Sequence, residues 1–251
     1  MPRSWLIAEC VVIYFALPLA YRFSPWRIPA LPVLWAVTAY AIWQLSRDPG
    51  FNRARLWNAS TLASNLPAIC LLFVLTAAGM WLLVHIWFSQ LEWRFVRQHP
   101  LFWGIVMILY PVLDVYPQSI LYRAFFLQRY VDLAPNGIAG RWAMILASAT
   151  AFSFLHIIFR NWIAVVLTFF GGILFAWRYV ETGSLLTSSV EHALYGCWLF
   201  TVGLGEYFYH GVWPRPKRAS ILTDHRKRSE RSGSTTGLRF PHGSVRSLLF
   251  C

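Results

Sequence analysis

The sequence predicts an all-α, polytopic transmembrane bundle of about seven helices, on three observations: composition, the length of its apolar runs, and where its charge falls. Of 251 residues, 57% are hydrophobic and 13% charged, whereas an average soluble domain carries about a quarter charged residues. Aromatic residues make up 18%, with 14 Trp, which suits a chain whose Trp and Tyr sit at two water–lipid boundaries. A soluble protein of this length would need more charge to cover its surface.

A helix of about 20 apolar residues spans the hydrocarbon core, and seven such runs follow one another. Trp5–Tyr21 is too long for the apolar part of a signal peptide and has no small-residue cleavage site after it, so it is expected to stay as a helix. Ile28–Leu45 carries no charge at all, and Pro67–Gln90 only His85. Leu101–Tyr122 lies between Arg97 and Arg123 and contains Asp114. Trp142–Phe159 is bounded by Arg141 and Arg160 and contains His156; Trp162–Tyr179 and Ser184–Leu204 complete the set. The connections are short and basic. Their charges favour a cytoplasmic amino terminus, but a basic carboxyl tail after seven spans argues the reverse, so orientation stays open.

The spanning domain is assigned to residues 1–212 and a disordered basic tail to 213–251. The tail supplies +7 of the formal +12, from nine Lys/Arg less Asp224 and Glu230. It is too polar to bury a core. Asp224-His225-Arg226-Lys227-Arg228 would attract anionic headgroups; with few aromatics and no module signature, nucleic acid is not an expected partner. Cys10, Cys70, Cys197 and Cys251 form no C-x-x-C pair, so a disulfide framework or zinc finger is not expected. Membrane lipids are the expected surroundings, and short connections point to a bacterial inner membrane.

Ionisable residues inside spanning helices are expensive and call for a reason. Five stand out by position: Asp114, Arg123, His156, Glu191 and His192. Each alone has an ordinary structural explanation: snorkelling for Arg123, a hydrogen-bonded core position for either His, an interhelical polar contact for Glu191 beside His192. Their local sequences carry more. Gln118-Ser119-Ile-Leu-Tyr-Arg123, Phe152-Ser-Phe-Leu-His156 and His192-Ala-Leu-Tyr-Gly196 follow in that order on membrane helices. Together they resemble the CPBP family of intramembrane proteases, also called the CAAX-protease or Abi family, whose pattern is Glu-Glu-x-x-x-Arg, Phe-x-x-x-His and His-x-x-x-Asn. The resemblance covers about Leu101–Gly211.

The resemblance implies hydrolysis of peptide bonds in membrane-embedded or lipidated substrates. In that family a Glu and a His activate water while a second His and an Asn steady the oxyanion; eukaryotic members remove the last three residues of prenylated proteins. Carried over, His156 would activate water, His192 would support the oxyanion and Arg123 would organise the site. No cofactor is firmly implied; zinc belongs to an older assignment of the family. Three positions depart from the pattern. Gln118 and Ser119 stand where the Glu pair belongs, and Gly196 replaces the Asn. Gln cannot accept the proton, Ser cannot neutralise Arg123 one turn away, and Gly offers no donor. Asp114, one turn before Gln118, and Glu191, about 100° around the helix from His192, are the carboxylates available as substitutes. Two alternatives remain: a homologue that binds peptides without cutting them, and a proton-coupled transporter. The sequence lacks the matched broken helices of inverted repeats. Gly171-Gly172 more simply permits close helix approach.

Overall fold

The structure is a computed structural model that describes residues 2–25 and 28–208; the tail assigned to 213–251 lies outside the described residues. Seven long helices appear in the expected order: α1 (Arg3–Phe23), α2 (Ala30–Arg47), α3 (Leu62–Trp87), α4 (Pro100–Arg129), α5 (Gly137–Phe159), α6 (Trp162–Thr182) and α7 (Leu185–Val202). Five of them (α1, α3, α4, α5 and α6) are long and apolar enough to cross a membrane. The other two have 18 residues each, and α7 is diluted by the polar run that includes Ser188, Ser189, Glu191 and His192. No strand occurs among the described residues. Large apolar side chains face outward in numbers that water would not tolerate: Leu101 is 80% exposed, Ile138 79% and Ile108 73%. The protein is an integral, multi-pass membrane protein.

Helix α4 differs most from its expected limits. It runs past Tyr122 to Arg129, because Arg123 is 1% exposed and does not mark an interface. The helix is uneven, widening into π-type turns at Pro111–Val115 and Ile120–Phe125 on either side of Tyr116–Ser119. Pro117 brings no N–H to the carbonyl of Leu113, and the Trp35 indole of α2 donates to it at 3.0 Å. In the second wide turn, Tyr14 of α1 donates to the Leu121 carbonyl at 2.8 Å and Ser148 of α5 to that of Tyr122 at 2.5 Å. Backbone polar groups in lipid must be paired within the protein. Here side chains from three neighbouring helices do so, and they pin α4 at the centre.

Polar side chains hold the rest together. Glu9 of α1 accepts from Arg129 of α4 at 2.9 Å and from Tyr40 of α2 at 2.5 Å. Gly183 ends α6 with φ +62°, where glycine avoids the steric cost of a Cβ. Ser184 then caps α7 by accepting from the Thr187 N–H at 3.1 Å. Gly172 brings α6 against α5: a Cβ there would sit 3.0 Å from the Ala149 Cα. In the connection after α3, Glu92 accepts from the Trp81 indole at 2.8 Å and lies 3.1 Å from the His85 ring. These contacts, Trp81 first, hold its carboxyl below the usual range.

Candidate active site

The three short motifs meet around two phenylalanine rings. Phe152 on α5 is 1% exposed and Phe175 on α6 is 3% exposed. The Arg123 guanidinium lies 4.4 Å from the Phe152 ring centre and 5.3 Å from that of Phe175. His192 stacks on Phe175 at 4.6 Å and meets Phe152 edge-on at 5.4 Å. His156 packs on Phe152 at 4.8 Å, with Phe159 and Phe208 beyond it. One guanidinium and two imidazoles, from α4, α5 and α7, therefore share one aromatic enclosure. Cation–π contact partly compensates Arg123 for its lost water.

Local structure fixes each group. His156 begins the tightened last turn of α5, where its Nδ1 lies 2.8 Å from the Phe152 carbonyl. A carbonyl can only accept, so Nδ1 carries a proton, and in the neutral ring Nε2 keeps its lone pair. His192 has no such anchor: its Nδ1 is buried and unpartnered. Arg123 reaches Ser119 Oγ at 3.5 Å, the limit of a hydrogen bond, and its Nη2 has no partner.

The carboxylates lie elsewhere. Gln118, 7% exposed, donates to Asp114 at 2.9 Å, so Asp114 does reach the face of Gln118 across the wide turn. Glu191 is fully buried and takes two hydrogen bonds from Arg178 of α6, at 2.8 and 3.0 Å. Arg178 also donates to Asn65 of α3 at 3.2 Å. Arg178, near the carboxyl end of α6, is 5% exposed and is the inward-facing partner of Glu191. Arg178 thirteen residues before Glu191, across a Gly183 turn, is the one sequence signal for that pair. Among the described residues no group of three or more His, Cys, Asp or Glu could hold a metal ion. Two imidazoles beside a guanidinium are a poor donor set for zinc, whose sites use three or four N, S or O ligands.

Gly196 has a reason that the sequence did not disclose. A Cβ at that position would run into the ring and hydroxyl of Tyr110 on α4. Tyr110 thus fills the space of the side chain that Gly196 lacks and brings a hydroxyl to the same stretch of α7. Gly196→Ala is expected to cost about 1–3 kcal/mol through overpacking, read as a lower thermal unfolding midpoint. Adding Tyr110→Ala should relieve the clash. A Gly196→Ala midpoint equal to wild type would contradict this packing.

No curated protein and no solved structure matches the chain. A family model does: residues 97–198 match the one described as type II CAAX prenyl endopeptidase Rce1-like. That segment holds the Gln118–Arg123, Phe152–His156 and His192–Gly196 motifs, and the chain is accordingly similar, over α4 to α7, to the CAAX-type membrane proteases.

Proposed function

We propose that this protein receives membrane-associated or lipidated peptides at the Arg123–His156–His192 site, in a bacterial inner membrane, as a CAAX-protease homologue that lacks the acid needed to activate water. One observation carries the reading. Among the described residues no carboxylate contacts either imidazole or Arg123, while the positions of the family's Glu pair hold Gln118 and Ser119.

The chemistry follows from the geometry. His156 keeps its Nε2 lone pair for a water proton, with the ring held by the Phe152 carbonyl. Taking that proton would place a second positive charge around the ring that Arg123 already occupies. No carboxylate is there to offset it, and like charges in a low-dielectric site repel strongly. His192 and the Tyr110 hydroxyl would serve as the oxyanion donors. The site keeps recognition and oxyanion groups and lacks the base.

The test is retention without cleavage. In nanodiscs the wild-type protein is expected to bind a fluorescent farnesylated peptide saturably and to release it intact. Absence of saturable binding would end this reading.

A further inference from the structure

Arg123 is a buried cation without a counter-charge. Its guanidinium stays protonated, is 1% exposed, and has one marginal hydrogen bond, to Ser119 at 3.5 Å. Nη2 has no partner. His192, 5% exposed, leaves its Nδ1 equally unpaired. Both groups lie against the same two rings, Phe152 and Phe175. Ser189 Oγ, one turn before His192 on α7, is likewise buried without a partner. Buried polar atoms in native proteins are nearly always satisfied, so these exceptions need an explanation.

We propose that this site binds the carboxylate of a membrane-embedded ligand, one oxygen accepting from Arg123 Nη2 and the other from His192 Nδ1. Charge selects the group. Two unpaired nitrogens match two oxygens, and one guanidinium balances one negative charge. A phosphate monoester would bring more charge than Arg123 offsets. Neutral His192 with its proton on Nδ1 donates without adding charge. The flanking rings exclude water, which strengthens both charge-assisted bonds. A peptide carboxyl terminus and a fatty acid carry the same group. The peptide source rests on the peptide-receiving reading above; the carboxylate chemistry does not.

The experiment measures binding to the full-length protein in phosphatidylcholine nanodiscs. The probes are a farnesylated tetrapeptide with a free carboxyl terminus, the same peptide as its amide, oleate, and phosphatidic acid. The free acid is expected to bind about 10-fold or more tightly than the amide. Ser119→Asp places a short carboxylate one turn before Arg123 and should bring acid and amide to near parity in a protein that still folds. Equal binding of acid and amide to wild type overturns the proposal. So does a folded Ser119→Asp variant with its acid preference intact, or a preference for phosphatidic acid over both carboxylates. Oleate binding without binding of either peptide supports the carboxylate site and overturns only the peptide-receiving reading.

Discussion

Restoring the acid is expected to switch on hydrolysis. Gln118→Glu alone would set a carboxylate against Asp114, which Gln118 now contacts at 2.9 Å, and two adjacent carboxylates cannot both ionise easily. Asp114→Asn combined with Gln118→Glu keeps that hydrogen bond with its direction reversed: the introduced amide would donate and the introduced carboxylate accept. That carboxylate would restore the acid that the family pattern has at this position, and is expected to offset the charge that forms on His156. A positioned general base contributes about 10²–10⁴-fold, and cleavage of a farnesylated peptide, followed by mass spectrometry, should rise by that factor over wild type. No gain in a double variant that folds and binds peptide would count against a missing base. A gain that survives His156→Ala would show that another group supplies the chemistry.

Breaking the Arg178–Glu191 pair should give the largest loss of stability. Both side chains are buried and joined by two hydrogen bonds, with Asn65 on the third nitrogen. Glu191→Ala leaves a guanidinium uncompensated between α3, α6 and α7, and removing one partner of such a pair costs about 3–5 kcal/mol. In a protein of this size that is a fall of roughly 10 °C in the thermal midpoint. Replacing both partners, with Arg178→Met and Glu191→Leu, should recover most of the loss, since apolar substitutes for a buried pair are often neutral. A Glu191→Ala midpoint within a degree or so of wild type would mean that the pair does not bear on the α6–α7 packing.

Seven helices are legible in the sequence because each apolar run is long and its neighbours carry charge. Their ends are less so. The Arg123 charge suggests a boundary, yet α4 continues to Arg129, because a buried site and a membrane edge both look like an arginine after an apolar run. The meeting of Arg123, His156 and His192 follows from the order and spacing of the motifs on α4, α5 and α7. Which carboxylate stands near them does not. Glu191 sits beside His192 in sequence but about 100° away on the helix, and its partner Arg178 is visible only once α6 folds back on α7. The role of Tyr110 is equally hidden, since nothing in the sequence connects it with Gly196 on a helix three spans later.

The central claim is that the wild-type pocket holds a peptide it cannot cut. The most direct measurement compares wild type, His156→Ala and His192→Ala in nanodiscs with one farnesylated peptide, scoring intact and cleaved peptide by mass spectrometry. The expected result is the same background level of cleavage for all three, with the peptide bound to wild type and unbroken. Cleavage by wild type that disappears in either histidine variant would contradict the claim, and would place a working base in a pocket where no carboxylate touches the imidazoles.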